Sequence, residues 1–376
     1  MFFRTPAHGY VFLFCLAWSF SGNHTFAEPL DPDEPSFDAT VMANGALSVS
    51  SGTINIGTDA LTISGAITAT GTLRAQNSTF NPTIAVFPFA DLFIGGTAEV
   101  NVTRSRPLAL LSRSHAIIEV FIDISGQDAG PNASPNGGPG GGSGGDGSPV
   151  AADGEGPGGG KGASNNSTDV NGSGGGFGGL GGEACDMNGD CDFDSRGVPY
   201  GELITALEAG SGGGGGIDAS GGAAGGALEL GAVGTVIVSE TLRANGGTGR
   251  VAIGVGGAGS GGGLLVHGGN VSITGGLIAS GGDQPFFDTG GGGRITVLGH
   301  PSTFTFGDAV DISFAAAFGG SSLESGPAAA GGVITIGPNL TVIPGGQNVT
   351  LDGTPIIASG GPFLSSLKQR SRSSVA

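Results

Sequence analysis

The sequence predicts an all-β fold, a parallel β-helix (β-solenoid) interrupted by an irregular glycine-rich insertion. Three observations predict it: short strands with alternating apolar residues, internal repeats of variable length, and 81 glycines among 376 residues. Glycine in a helix interior costs about 1 kcal/mol relative to alanine, so glycine at this density disfavours helix over most of the chain. The glycines follow no Gly-X-Y period, which excludes collagen.

The N-terminus is typical of an export signal. Arg4 precedes an apolar run at 10–18 that is too short to span a bilayer as an ordinary helix. Cleavage after Ala27 would make residues 1–27 a signal peptide; a site at 19–21 and an uncleaved anchor are the alternatives. We therefore expect a secreted or cell-surface protein with no integral membrane span after signal cleavage.

Short alternating runs fill two stretches of the chain. After a polar lead-in at 28–42, residues 43–125 contain runs of four or five residues rich in Thr, Ile, Val and Leu, separated by Gly, Asn or Asp. Residues 210–361 contain strands that open with glycine, each followed by a second strand. Such alternation is typical of strands with one buried face. We predict N-terminal coils over 43–125 and C-terminal coils over 210–361.

A six-residue motif marks the repeats. Its copies are LRANGG at 242–247, IDASGG at 217–222, LIASGG at 277–282 and IIASGG at 356–361, with a weaker AAAFGG at 315–320 and an echo, LRAQNS, at 73–78. Steps of 25, 35, 38 and 41 residues separate the five main starts. Steps this variable favour a parallel β-helix over a propeller. We expect Leu242 and Ala244 to face the core and Arg243 to face outward, while the glycines take backbone angles that a Cβ would forbid.

Two segments interrupt this regularity. Residues 126–182 are rich in glycine and hold few apolar side chains, so we predict a flexible insertion or a loop strapped to the outside of the fold. Residues 183–209 form an acidic loop with two cysteines and a short helix, for which 200–208 is the best candidate. The tail at 362–376 is basic and polar.

The sharpest local motif lies at 185–194. Cys185 and Cys191 are the two cysteines outside the signal, and in an exported protein they predict one small disulfide loop. Five oxygen-bearing side chains alternate along the loop: Asp186, Asn188, Asp190, Asp192 and Asp194. They resemble the ligands of calcium loops of the EF-hand or dockerin type, although Cys191 replaces the turn glycine and Gly197 stands where the last acidic ligand is expected. We predict calcium as a cofactor here; the alternative is an acidic, solvated hairpin closed by the disulfide.

The charge balance limits the partners. The net charge of −18 makes nucleic acid and anionic membranes poor partners, because both require a basic surface. An acidic surface suits plain solubility or the binding of cations. We therefore expect no nucleic-acid partner.

Residues able to support catalysis are scattered along the sequence. The candidate carboxylates are Asp123 and Asp128, and Asp308 and Asp311; the candidate bases and cations are Arg243, Arg250, Arg294, His115, His267 and His300. The histidines lack the spacing of metal ligands. For each of these residues the alternative is a solvated position at a strand edge or corner, with no role in catalysis.

The coil pattern over about 43–125 and 210–361 resembles exported, glycine-rich right-handed β-helix proteins, such as autotransporter passengers, adhesins and uncharacterised bacterial surface proteins. The resemblance implies surface or extracellular placement and, often, binding or scaffolding. Together with the export signal, the repeats and the absence of a converging catalytic set in the sequence, it leads us to expect a structural, adhesin-like protein without enzymatic activity. Its implied partners are extracellular polysaccharides or matrix and surface components. The alternative is a carbohydrate-active β-helix, a polysaccharide lyase or hydrolase, assisted by calcium, because enzymes of similar outline use clustered carboxylates or calcium with a basic residue.

Overall fold

The chain is mostly β-structure, with 38% strand and 4% helix, and its strands pair mostly in parallel. The computed structural model describes residues 29–103, 105–130, 134–147, 150–164, 170–185, 191–192, 194–203, 205–285, 288–299, 310–316, 319–320, 331–336, 340–342, 348–351 and 354–357. A 3-10 helix, Pro35–Phe37, lies in the predicted polar lead-in at 28–42, and an α-helix, α1 (Asp38–Asn44), begins in the lead-in and ends two residues beyond it.

The strands follow in chain order. They are β1 Ala46–Gly57, β2 Thr62–Gly65, β3 Ala69–Thr70, β4 Thr72–Ala75, β5 Thr83–Phe89, β6 Asp91–Thr103, β7 Leu108–Ser112, β8 Ala116–Ile118, β9 Ile122–Asp123, β10 Ala184–Cys185, β11 Cys191–Asp192, β12 Ala227–Val238, β13 Leu242–Arg243, β14 Gly263–Ile278, β15 Arg294–Gly299, β16 Val310–Ala316, β17 Val333–Ile336, β18 Leu340–Val342, β19 Asn348–Leu351 and β20 Thr354–Ile357. Residues 300–309, which belong to the predicted C-terminal coils, lie outside the described residues.

Most strands pair in three columns of parallel segments, with neighbours about 4.8 Å apart. Column 1 contains β5, β7, the first halves of β12 and β14, β15 and β17. Column 2 contains the first halves of β1 and β6, then β8, the second half of β12, the middle of β14 and the start of β16. Column 3 contains the second halves of β1 and β6, then β9, β13 and the ends of β14 and β16.

Antiparallel strands flank the columns at both ends of the sequence. β2 pairs with β1 and with β3, and β4 pairs with β5. At the other end, β17, β18, β19 and β20 form an antiparallel series. Pairing of this kind satisfies strand edges that would otherwise offer a template for further strands.

Alternate apolar side chains fill the space inside the columns. Leu242 and Leu277 lie opposite each other in column 3, and both are fully buried. Ala244 is also buried, whereas the Arg243 side chain is 40% exposed and faces outward, as predicted for the motif. Burying a leucine side chain contributes about 1.5–3 kcal/mol, so the repeated pattern supplies the main core.

A second apolar layer covers the outer face of column 1. Leu111 and Leu265 belong to it on the strand side, Phe37 comes from the N-terminal segment, and Phe177 and Leu207 come from the long segment between β9 and β12. The strands of column 1 are therefore covered on both faces, which explains their continuous apolar runs.

Glycine-rich connections lead from the end of column 3 to the start of column 1; we call one passage through columns 1 to 3 a turn, and the place where a connection leaves column 3 the corner. The connections span residues 124–226, 244–262 and 279–293, and we call their described residues the glycine bundle. Two hydrogen bonds across the corner, from Asn245 to Ser125 and from Thr248 to Asp128, join residues 120 positions apart. Strands β12 and β13 pair with β7, β8 and β9 at one constant offset of 120 residues. The longest connection, 124–226, therefore causes no change of register.

Backbone hydrogen bonds hold the glycine bundle together with a repeat of three residues. Gly210, Gly213 and Gly216 all donate to carbonyls in one neighbouring segment, residues 219–225. The N–H groups between them donate to other partners. Three residues per turn, with hydrogen bonds between segments, is the periodicity of a polyproline II helix.

The described part of 126–182 differs from the predicted flexible insertion. Most of its glycines are buried, and its N–H groups donate to segments throughout the bundle. The prediction assumed that order requires apolar side chains. Here segments pack so closely that a Cβ on Gly257 would lie 1.9 Å from the carbonyl oxygen of Ser173. The described part of this segment instead lies in the glycine bundle, between β9 and β12.

The helix predicted at 200–208 is wrong for the residues described there. Only Thr205 and Ala206 make turn-like hydrogen bonds, both to the carbonyl of Glu202. The Leu207 N–H instead donates to the side chain of Gln76 at 2.8 Å. Tertiary contacts of this kind compete with helix propensity, which is a weak preference. No helix among the described residues is long and apolar enough to cross a membrane.

Candidate functional site

An outward row of polar side chains follows column 3. The register aligns Asn55 with Asn101, Asn101 with Asp123, and Asp123 with Arg243. The Asn101 amide donates to the Asn55 side chain at 3.3 Å, and the Arg243 guanidinium lies 3.7 Å from the Asp123 carboxylate. Arg243 also lies over the Phe121 ring, 4.8 Å from its centre. We call these five residues the column 3 row.

The same corner contains a copy of the repeated motif that sequence reasoning missed. Ile122 and Asp123 lie opposite Leu242 and Arg243, so IDISGQ at 122–127 is a further copy with Ile in the alanine position. Sequence reasoning missed this copy because isoleucine stands in its third position, where the other copies have alanine. Conversely, the copy at 217–222 lies inside the glycine bundle, and the predicted 25-residue step from it to Leu242 does not correspond to one turn of the columns.

The fourth position of the motif explains its preference for Ser or Asn. The Ser125 hydroxyl accepts a hydrogen bond from the Asn245 N–H at 3.0 Å, and the Asn245 side chain accepts one from the Ser280 N–H at 3.0 Å. Each side chain therefore satisfies a backbone donor of the next turn. This ladder fixes the corner from which the bundle leaves, since buried N–H groups require partners.

The predicted catalytic carboxylates are not brought together as pairs in the described residues. Asp123 accepts from the Ser125 N–H at 3.0 Å and faces Arg243, whereas Asp128 accepts from the Thr248 N–H at 2.7 Å. Asp308 lies outside the described residues. Asp311 lies in β16, opposite Ser272, and its side chain is not described.

The predicted histidines also lie apart. The Nδ1 atom of His115 accepts from the Thr235 N–H at 3.2 Å at an exposed corner. His267 is nearly buried on the outer face of column 1, with Nε2 2.9 Å from Glu229 Oε1. His300 lies outside the described residues.

Arg294 and Tyr200 join the glycine bundle to column 1. The Arg294 Nε donates to the Tyr200 carbonyl at 3.0 Å, and its guanidinium lies 5.5 Å from the centre of the Phe177 ring. Burial lowers the pKa of Arg294, and burial raises the pKa of Tyr200 far above its ordinary value. These are the signs of a structural junction, and Arg250, the remaining candidate cation, lies in the bundle.

The cysteine loop is closed as predicted by a disulfide between Cys185 and Cys191. Of the predicted calcium ligands, Asp192 ends strand β11 and Asp194 is exposed, while Asp186, Asn188 and Asp190 lie outside the described residues. Among the described residues, no three acidic, histidine or cysteine side chains are grouped to hold a metal. Calcium binding therefore stays a prediction, and calorimetry at millimolar calcium tests it.

A cavity of about 810 Å³ lies on the outer face of column 1. Its walls come from the N-terminal segment, from β4 with the residues after it, and from the turn near Leu207; its lining residues are Pro29, Leu30, Asp31, Glu34, Arg74, Ala75, Gln76, Asn77, Ile84, Leu203, Ala206, Leu207, Glu229 and Leu265. A volume of this size is typical of small-molecule sites.

The most unusual group in this cavity is the Glu229 carboxylate. Its side chain is 2% exposed, and Oε1 accepts from the Leu30 N–H at 2.7 Å besides contacting His267. Gly231 pairs with His267 on the adjacent strand, and a Cβ on Gly231 would lie 2.4 Å from the His267 ring. Glycine at this position therefore leaves the space in which the imidazole reaches Glu229. Sequence reasoning missed Glu229 because the pattern GALELG is typical of an ordinary strand, in which the glutamate would face solvent.

Comparisons with family models, with curated proteins and with solved structures find no match for this chain.

Proposed function

We propose that the protein is a secreted or cell-surface structural protein, adhesin-like, built on a right-handed parallel β-helix. In this proposal the three columns are the three faces of the helix, and each glycine-rich connection is an excursion from one corner. The parallel pairing, the consistent register and the apolar interior support it. The predicted export signal supports placement outside the cell.

The observation that carries the proposal is the column 3 row. Consecutive turns present Asn101, Asp123 and Arg243 in one line, with Phe121 beside them at 44% exposure. Arginine and aromatic side chains are enriched at binding surfaces because they combine apolar area with directional hydrogen bonds. A line of such groups at a spacing of about 4.8 Å suits an extended partner, such as a matrix polysaccharide.

The use of the charged groups supports a structural role over catalysis. Asp128 holds a backbone N–H of the next turn, and Asp123 faces Arg243 of the next turn. These contacts align successive turns, and each of the two carboxylates has a different partner. An acid and a base for glycoside cleavage would have to flank one bond.

A retention assay tests the proposal. The purified protein is passed over a panel of immobilised neutral and acidic polysaccharides and matrix proteins, and the bound fraction is measured. We expect retention on at least one polymer, reduced about tenfold or more in a Phe121→Ala, Arg243→Ala variant, since loss of about 1.4 kcal/mol is tenfold. Lys161→Ala is the matched control, because Lys161 is an exposed cation paired with Asp153 in the bundle. Equal loss in the control, or no retention on any polymer, contradicts the proposal.

A depolymerisation assay separates this proposal from the carbohydrate-active alternative. The same polymers are incubated with the protein, with and without calcium, and their chain length is followed. We expect unchanged chain lengths. Shortening that disappears in Asp123→Asn would replace the structural proposal with an enzymatic one.

A further inference from the structure

We propose that the cavity on the outer face of column 1 binds a primary ammonium group carried on a hydrocarbon body, such as an alkylamine. The inference is independent of the proposed function, because it concerns the opposite side of the strands from the core and residues outside the column 3 row. It rests on a buried carboxylate, on the charges of the lining and on the apolar floor.

The first step is the cost of burying Glu229. A carboxylate taken out of water requires a compensating charge as well as hydrogen bonds. The Leu30 N–H at 2.7 Å supplies a hydrogen bond but no net charge. His267, at 2.9 Å, supplies a positive charge only when its imidazole is protonated. A cation in the cavity would complete the compensation without requiring a proton on His267.

The second step is the sign of the lining. Its charged side chains are Asp31, Glu34, Arg74 and Glu229. Arg74 is already paired with Glu34 at 2.9 Å, which leaves Asp31 and Glu229 as the acidic excess. This balance favours a cation and opposes an anion, whose carboxylate or phosphate would lie near like charges.

The third step is the floor. Ile84, Leu203, Leu207 and Leu265 line the cavity and are each at least 95% buried. Apolar surface of this kind favours a ligand with methylene groups, because burying them removes apolar area from water. Together the floor and Glu229 define an amphipathic cation, with its ammonium near Glu229 and its chain along the leucines.

The experiment uses three probes of matched length: hexylamine, hexanol and hexanoate. Their affinities for the full protein are measured by calorimetry at near-neutral pH. We expect hexylamine to bind at least tenfold more tightly than hexanol, and hexanoate to bind more weakly than both. Equal affinities for hexylamine and hexanol would overturn the proposal, because they would show an apolar pocket without charge selection.

Two variants locate the binding. Glu229→Gln keeps the shape of the side chain and removes its charge, and we expect hexylamine affinity to fall at least tenfold. Ala75→Trp places a large ring at the exposed mouth of the cavity without touching the core, and we expect it to abolish binding even if Glu229→Gln does not fold. Glu99→Gln, at an exposed position of β6, is the matched control and should bind like the wild type. Unchanged hexylamine affinity in a folded Ala75→Trp variant would overturn the proposal.

Discussion

The columns and the glycine bundle are two solutions to the same packing problem. In the columns, every second side chain is apolar and buried, and backbone groups pair with the strands above and below. In the bundle, most of the closely packed positions are glycine, and along residues 210–216 every third N–H donates to the same neighbouring segment. The first region is held by apolar burial and strand pairing, whereas the second depends on backbone hydrogen bonds and very close approach.

This difference teaches how a low-complexity segment becomes ordered. Glycine loses more conformational freedom on folding than any other residue, so an isolated glycine-rich segment remains disordered. In the bundle, several such segments satisfy one another's backbone groups, and the adjoining strands hold their ends. The bundle should therefore tolerate added side chains poorly, and the columns should tolerate loss of volume poorly.

The largest expected effect comes from adding volume to the bundle. In Gly257→Val the new Cβ would lie 1.9 Å from the Ser173 oxygen and 2.2 Å from its carbonyl carbon, so two backbones must separate. We expect a loss of about 4 kcal/mol or more in the free energy of unfolding, measured by denaturant titration. Gly130→Ala is the control, because nothing lies within 4 Å of its added Cβ. Similar stability of the two variants would show that the bundle is looser than described.

A smaller loss is expected when volume is removed from the columns. Leu277 is fully buried in column 3 between Leu242 and Ala315. We expect Leu277→Ala to cost about 3 kcal/mol of unfolding free energy, because it removes a buried side chain and leaves a cavity. The outward neighbour Ile278 is only partly buried, so Ile278→Ala should cost less than about 1 kcal/mol. Equal losses would mean that the inward and outward faces are assigned incorrectly.

The corner between the two regions gives an intermediate test. Asn245→Ala removes the acceptor of the Ser280 N–H and leaves that donor without its partner. We expect a loss of about 2 kcal/mol in unfolding free energy. Asn101→Ala, in the exposed column 3 row, should change it by less than about 0.5 kcal/mol. If Asn101→Ala lost stability and Asn245→Ala did not, the hydrogen-bond ladder would not explain the preference for Ser or Asn at the motif's fourth position.

The columns were predictable from the sequence because their signal is local. Alternation of apolar residues fixes the inward face, and the copies at Leu242 and Leu277 pair across one 35-residue step as the motif predicted. The copy at Ile122 was harder to find, because its isoleucine in the alanine position breaks the pattern. The register across the longest connection was not predictable, since it depends on 120-residue contacts with no local signature.

The bundle and the cavity were beyond sequence reasoning for a different reason. A period of three in hydrogen bonding leaves no trace when most positions are glycine, so 126–182 looks disordered by composition. Glu229 occupies an outward strand position that is ordinarily solvated, and here it is buried, with its carboxylate against the Leu30 N–H and the His267 ring. Both features arise from chain segments that are distant in sequence and close in space.

The smallest effect tests whether the bundle is docked on the columns at all. Tyr200 lies at the junction: its hydroxyl donates to the Ala209 carbonyl at 2.6 Å and accepts from Ser211 Oγ at 2.9 Å, and its carbonyl accepts from Arg294. Burial raises its pKa well above the ordinary value of about 10, so the folded protein should keep the neutral phenol at pH 11. Tyr10 lies in the predicted signal, so Tyr200 is the one tyrosine of the cleaved chain and its titration can be followed by absorbance.

The sign of the accompanying stability change follows from the unfolded state. Above pH 10 the unfolded chain loses the Tyr200 proton while the folded chain retains it, so the unfolded state is favoured progressively. We expect the free energy of unfolding to fall by about 1.4 kcal/mol for each pH unit above 10, and Tyr200→Phe to remove this component. Ionisation of Tyr200 near pH 10 in a protein that keeps its β-structure would show that the junction is open to water. In that case the columns would fold without the bundle docked on them, and the two regions would be independent units.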